Sequence, residues 1–285
     1  GSAGTMTAGL WEFLVDGAMS KQLHPAKAAH DGILAALLAQ QKFTSASQIL
    51  TGEKGVIAAL SKSPSIDQLT NNLSSNMKIW KISNVAFKIH ASCFHTHSAV
   101  DAALHISQTY PFDITEIEKI EVQIYSQALD LLQGVSPTTP YAAKFSLPFC
   151  IATALIHGDL SLVRFTEVAL KDVQTTQLLE SITFRPDSQL DNAYPIDWPS
   201  IVKVFLKNGD ILEHKTDYPI GDARTNVSNQ VLQEKFCSMT QEINSLDSLN
   251  FSSKILLQTP PLSPNEIFSE LNLNSLNQIN TVGSL

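Results

Sequence analysis

Positive charge is scarce in this sequence: 19 Lys and Arg stand against 27 Asp and Glu, a formal net charge of −8 over 285 residues. That balance argues against general binding to nucleic acid or to an anionic membrane surface. Cysteine is scarce too. Cys93, Cys150 and Cys237 are widely spaced and odd in number, which fits a reducing compartment better than a disulfide framework. The longest apolar run, residues 145–156, is about twelve residues, is broken by Pro148, and is too short to span a bilayer. No basic segment followed by an apolar stretch opens the chain, so no signal peptide is expected and the expected location is the cytoplasm. A glycine-rich phosphate loop, a GxSxG elbow, an HExxH pair and a paired CxxC are all missing, which sets aside the chemistries they carry.

What is present is 44% apolar residues and a mean hydropathy close to zero, as expected of a soluble globular chain with one large domain or two ordinary ones. Its most informative stretch is residues 87–104, FKIHASCFHTHSAVDAAL. Lys88, His90, Cys93, His95 and His97 gather there, just before a small-residue helical pattern with Thr96 or Ser98 as N-cap. The first N–H groups of a helix lack intrahelical partners and carry the positive end of its dipole. With a lysine and imidazoles nearby, the pattern predicts a site that holds an anion and moves protons. A metal reading of Cys93, His95 and His97 does not have the usual zinc spacing, and no second ligand cluster is evident, so no metal is expected. Cys93 can also be read as an activated thiolate or as a small buried hydrophobe.

Taken in order, residues 9–19 read as a helix through Leu10, Phe13, Leu14 and Ala18. A second helix starts with Pro25 at its first position and buries the stripe Ala26, His30, Ile33 and Leu37. Lys21 and His24 lie just before it. Residues 43–83 read as short helices joined by turns, with an exposed polar run over 70–78. Residues 117–125 alternate as a half-buried strand, and 182–186 form a brief one. Pro140 starts a helix that Pro148 kinks and Gly158 closes, with Lys144 in its first turn. Short helices are expected at 163–170 and 175–181. Strands at 201–207 and 211–215 flank Asn208-Gly209, a type I′ turn signal. The helical pattern resumes from Ser228, and the tail after Pro260 is expected to pair weakly or stay mobile. The fold class is therefore mixed α and α+β: part of a mainly helical domain over 1–84, an α+β domain over 85–217, and helices over 218–285 that return to the helical domain.

Three segments resemble the MmgE/PrpD family: SKQLHPAKAAHDGILAALLA, FKIHASCFHTHSAVDAAL and AAKFSLPFCIATALIHGDL. They stand in the family's order and spacing and are similar to its C-terminal three-fifths. The family includes 2-methylcitrate dehydratases, cis-aconitate decarboxylases and an iminodisuccinate epimerase. The resemblance implies a helical domain with an α+β lid over a small tricarboxylate-type substrate, no metal or other cofactor, and a homodimer. It also implies that an N-terminal helical part, which supplies an Asp and further His residues, lies outside this sequence.

Carried over by position, Lys88 resembles a lid lysine that contacts substrate. Cys93 stands where the animal decarboxylases have a catalytic histidine and is the dehydratase-like choice. His30 aligns with a lysine of those decarboxylases, and Leu129 with their lid tyrosine. Ala26 replaces a glycine, His90-Ala91 a Tyr-Pro, and Phe94 an arginine whose loss removes a bidentate carboxylate donor. The expectation is a dehydratase-type lyase with His30, Lys88 and His95 as catalytic residues and Lys21, His24, Cys93, His97 and Lys144 as substrate-binding ones. The alternatives are a non-catalytic remnant that binds an acid or a partner chain, and decarboxylation or epimerisation on the same scaffold.

Overall fold

The computed structural model describes residues 1–63, 80–132, 137–240, 247–257 and 260–271, with residues 65, 67 and 70. The chain divides into two units, residues 1–83 and 84–285. Helices of about ten residues or more, roughly the length at which a helix presents whole turns to a neighbour, are labelled α1 to α5.

In the first unit, the helix expected over 9–19 shrinks to Phe13–Asp16, because Gly17 ends it in the left-handed region at φ +58°. Helix α1 spans Leu23–Gln40 and so begins two residues ahead of Pro25. The first four N–H groups of a helix have no intrahelical partner, so a proline in the third position forfeits no hydrogen bond.

The larger correction concerns the face that α1 buries. His30, Ile33 and Leu37 were expected inward, but Ile33 is 65% and Leu37 53% exposed, and the His30 side chain is 74% exposed. Ala35 is the one buried residue of α1. Periodicity identifies an apolar stripe without saying what covers it, and in the described chain this stripe faces solvent. Residues 43–46 are irregular and 47–50 form a turn where a short helix was expected, and Val56–Leu60 is helical. Of residues 64–79, which include the polar run 70–78, all but 65, 67 and 70 lie outside the described residues.

The second unit is built on a four-stranded sheet in the order β2-β1-β3-β4. Strand β1, Ile117–Ile124, runs parallel to β2, Ile182–Pro186, and antiparallel to β3, Ser200–Leu206; β3 pairs antiparallel with β4, Ile211–Thr216. Val122 faces both Phe184 and Val202 in this register. Strand β3 buries Ser200, Val202, Val204 and Leu206 in strict alternation, the signature of one solvated face.

The turn after β3 differs from the type I′ expected. Leu206 N–H donates to Asp210 O, leaving the three-residue loop Lys207-Asn208-Gly209. Only Gly209, at φ +93°, has positive φ there. A type I′ turn needs two such residues, whereas a three-residue hairpin needs one glycine in the left-handed region.

Helix α2, His97–Thr109, packs on β3, on β4 and on α3, Leu147–His157. Ala99, Ala102 and Ala103 of α2 and Ala152 and Ala154 of α3 are fully enclosed, and such small side chains let the layers approach closely. The segment from Pro140 is two helices, Pro140–Ala143 and α3, not one kinked helix. Ser146 Oγ accepts the Phe149 N–H as N-cap, and Pro148 then sits in the first turn of α3, where its missing N–H costs nothing. Gly158 closes α3 at φ +70° as expected. Lys144 thereby moves from the first turn of a long helix to the C-terminal end of a short one, where the backbone dipole favours a cation.

The helix expected over 163–170 is a 3-10 turn, Leu162–Arg164, followed by Glu167–Leu170, while Val173–Glu180 forms close to its expected place. Helices α4, Asn229–Thr240, and α5, Ser248–Leu257, follow β4 and pack on each other. A last helix, Pro264–Leu271, occupies the start of the tail; residues 272–285 lie outside the described residues. Among the described residues no helix is long and apolar enough to cross a membrane.

Candidate active site

The loop that carries Lys88 to Cys93 has no regular structure, yet distant segments fix its backbone. Phe87 N–H donates to Gly221 O at 2.7 Å, Ala91 N–H to Leu160 O at 3.1 Å and Cys93 N–H to Lys144 O at 2.8 Å. Gly221 is required at its position: it holds φ +99°, and a Cβ there would lie 2.1 Å from the Phe87 carbonyl oxygen. Gly221→Ala is therefore expected to destabilise the second unit by more than about 1 kcal/mol and to loosen the Lys88 loop, measured as a fall in Tm.

The loop passes through a 3-10 turn, Phe94–Thr96, into α2. Thr96 is the N-cap residue by position, but its side chain does not cap. Its hydroxyl donates to Cys93 O at 2.8 Å and shares a hydrogen bond with Ser92 Oγ at 2.7 Å. Ser98 instead bonds the Trp198 carbonyl. Every residue from Thr96 to Ala103 is buried, so α2 starts inside the unit.

Three histidines of this stretch meet different environments. His90 is buried, and its Nε2 lies 2.7 Å from Asp101 Oδ1. The other Asp101 oxygen accepts the Ile220 N–H at 2.7 Å, so one buried carboxylate joins α2 to two loops. His97 is 0% exposed, with neither ring nitrogen hydrogen-bonded among the described residues. Its ring lies 5.0 Å from that of His90 and 4.9 Å from that of Phe94. Burial first, then the charges of His90, Lys88 and Lys235, push its pKa down to about 2, so the imidazole is neutral at working pH.

His95 is half-buried in an aromatic cluster. Its Nδ1 is 2.8 Å from Tyr125 OH, and its ring centre is 4.6 Å from that of Trp198. Tyr125 stacks on Tyr194 at 4.5 Å with an interplanar angle of 10°. Burial raises the Tyr125 pKa above its ordinary value, so the phenol stays protonated.

Cys93 is half-buried, and Cys150 is fully enclosed with its thiol 3.6 Å from Ala143 O. Burial and then Cys93 push the Cys150 thiol up to about 12, which keeps it an inert neutral group. Lys88 is exposed on the loop. Lys144 is half-buried, 5.6 Å from the Tyr141 ring centre and 5.7 Å from that of Phe165, and burial lowers its pKa.

The second unit thus groups Lys88, Cys93, His95 and His97 on one loop-to-helix stretch and ties Lys144 to it through the Cys93 backbone bond. Lys21, His24 and His30 belong to the first unit. There Lys21 Nζ lies 5.7 Å from the Phe13 ring centre, the His24 ring meets Phe13 edge-on at 5.6 Å, and His30 Nδ1 is 3.0 Å from Asp31.

Sequence reasoning passed over Asp101, Tyr125, Trp198 and Lys235. Asp101 had a signal, since a carboxylate on the buried small-residue face of a helix needs a partner. Lys235 had none; it is half-buried on α4 and donates to Ile89 O at 3.3 Å, and burial lowers its pKa. A cavity of about 610 Å³ opens between α4 and α5, with Gln233, Cys237 and Leu249 in its described lining, and contains none of these groups. Among the described residues no group of three or more His, Cys, Asp or Glu is placed to hold a metal ion.

The MmgE/PrpD C-terminal domain model matches residues 90–248, the region that contains His90, His95 and Asp101, and the N-terminal domain model matches residues 1–69. The chain belongs to the MmgE/PrpD family. It carries sequence of both family domains, more than the C-terminal part alone. It is 25% identical over 267 residues to the human (Homo sapiens) cis-aconitate decarboxylase, covering 88% of this chain and 52% of that protein. It is 25% identical over 164 residues to the mitochondrial 2-methylcitrate dehydratase of Yarrowia lipolytica, covering 54% of this chain and 32% of that protein. It is 24% identical over 237 residues to the cis-aconitate decarboxylase-like protein oryM of Aspergillus oryzae, covering 78% and 48%. The chain therefore spans about half the length, or less, of the curated relatives it matches.

Proposed function

We propose that this MmgE/PrpD chain is a lyase of the 2-methylcitrate dehydratase type, removing water from a hydroxy-tricarboxylate. The observation that carries the reading is the grouping of Lys88, Cys93 and His95 on one anchored stretch, with Lys144 and Lys235 bonded to the same backbone. A carbon-bound proton beside a carboxylate leaves with difficulty because negative charge builds on the carboxylate. The lysines stabilise that charge, and partial burial strengthens the effect of Lys144 and Lys235. As the C–H bond breaks, a base takes the proton, the electron pair forms the double bond, and the hydroxyl takes a proton from a general acid and leaves as water. His95 is the acid–base residue of the second unit and serves the departing oxygen; His30 is the candidate of the first. Cys93 forms a wall of the site.

Lys88→Ala is expected to weaken binding of 2-methylcitrate by about 1.5–3 kcal/mol in isothermal titration, the contribution of a charged hydrogen bond. Unchanged affinity would sink the assignment of Lys88.

The extent of the match to the two decarboxylase-named relatives supports a second reading, decarboxylation of cis-aconitate. Cys93, His30 and Leu129 count against it, because the resemblance implies other residues at those positions. The exposed stripe on α1, with Leu23 at 64%, supports a third, a chain that binds a partner without catalysing.

One experiment separates them: incubate the chain with each acid and follow the products by proton NMR. A new vinylic signal from 2-methylcitrate supports the dehydratase. Loss of carbon dioxide from cis-aconitate supports the decarboxylase. Silence with both acids supports the binding role, and a monomer by light scattering at high concentration would count against that one.

A further inference from the structure

The hydrogen-bond needs of Tyr125 fix a property of His95 that neither residue shows alone. Tyr125 follows the last residue of β1, is 1% exposed, and is clamped between the parallel ring of Tyr194 and the edge-on ring of Trp198. Its hydroxyl reaches one hydrogen-bond partner among the described residues, His95 Nδ1 at 2.8 Å. A phenol carries a single hydrogen and can also accept. If its oxygen only accepted from an Nδ1–H, its own hydrogen would be buried with no acceptor, a loss of about 1–3 kcal/mol. The arrangement that satisfies both groups has the phenol donating and Nδ1 accepting. Burial keeps the phenol protonated, so this donor persists across the working pH range.

We propose that Tyr125 is a positioning residue that fixes neutral His95 as the tautomer protonated at Nε2. The consequence rests on the acid–base reading of His95 given above and sharpens it. In this tautomer Nε2 offers an N–H to a substrate oxygen and has no lone pair with which to take a carbon-bound proton. His95 is then the group that holds the departing oxygen, and the base is another residue. The Trp198 ring, inclined at 36° to that of His95, keeps the imidazole from turning out of this alignment.

The test is long-range proton–nitrogen NMR of the full chain labelled with 15N-histidine, with His95 assigned by its loss in His95→Gln. The proposal expects wild-type His95 to show a protonated Nε2 and a bare Nδ1. Tyr125→Phe, which removes one hydroxyl from a packed ring, is expected to give a mixture of tautomers. A wild-type ring protonated at Nδ1, or a pattern unchanged in Tyr125→Phe, overturns it. If Tyr125→Phe does not fold, the wild-type spectrum alone decides.

Turnover adds a second readout. Where 2-methylcitrate is dehydrated, Tyr125→Phe is expected to lower kcat about tenfold or more, shift its pH profile and leave KM near wild type. An unchanged kcat and profile would refute the positioning role. Absence of turnover in the wild type would instead fail the dehydratase reading and leave the tautomer result to stand or fall by itself.

Discussion

Asp101→Ala is expected to lose about 3 kcal/mol or more of stability, because two buried hydrogen-bonding groups lose their partner at about 1–3 kcal/mol each. Both Asp101 oxygens are used, one on His90 Nε2 and one on the Ile220 N–H, each at 2.7 Å. Removing the carboxylate leaves a buried imidazole and a backbone donor with nothing to bond. Asp101→Asn keeps one oxygen acceptor and the side-chain shape, and is expected to lose markedly less. By contrast, Lys27→Ala removes an exposed ion pair with Asp31 and an exposed hydrogen bond to Met6 O, and should leave the unfolding midpoint close to the wild type. Urea unfolding of the three variants at pH 7 measures all of this. Equal midpoints for Asp101→Ala and the wild type would show that the carboxylate is not what joins α2 to its two loops.

The second large effect is acid lability from His97. Burial depresses its folded pKa to about 2, from an ordinary value of about 6.5. The folded state keeps the ring neutral, while the unfolded chain binds a proton as pH falls below 6.5. The stability linked to His97 is therefore fully present above pH 6.5 and is lost as pH falls toward 2, with about 2 kcal/mol gone by pH 5.

His214 acts in the same window, because burial and His105 also lower its pKa against the opposing pull of Asp101. Asp159 acts lower: burial favours its neutral form, but Arg164 and Ser161 hold it at about 2, below the usual carboxylate range. His97→Gln isolates the His97 share. Denaturation midpoints at pH 7 and pH 5 should fall by less in this variant than in the wild type. Parallel falls would mean that His97 does not set the acid limit.

The sheet was legible in the sequence because its cause is local. Alternation in residues 117–125 and 201–215 fixes which face is buried, and Gly209 marks the turn. The turn type was not legible, since Asn-Gly fits a two-residue loop as well as the last two positions of the three-residue loop formed here. Pro148 gave the right position for a break but not its kind, which depended on Ser146 restarting the helix. The stripe on α1 was read correctly as apolar and wrongly as covered, because covering is a property of what lies opposite.

The same division applies to the candidate site. Lys88, Cys93, His95 and His97 are close in sequence and could be grouped by eye. Tyr125, Trp198 and Lys235 come to that stretch through sheet register and helix packing, which no local pattern records.

The loop bearing Lys88 also has an energetic consequence. Its backbone hangs on Leu160, Lys144 and Gly221, and the helix behind it on Trp198 and Ile220, all far along the chain. The entropy of closing those long loops must be met before any of the bonds forms, so this stretch reaches its native geometry after the local helices have formed. Opening is expected to follow the reverse order, with the anchors between residues 218 and 222 releasing while the sheet stays paired. Hydrogen exchange at the Phe87 and Ile220 amides would then run ahead of exchange in β1 and β3. The acid binding proposed above would disappear from a molecule that still looks folded by its helical signal.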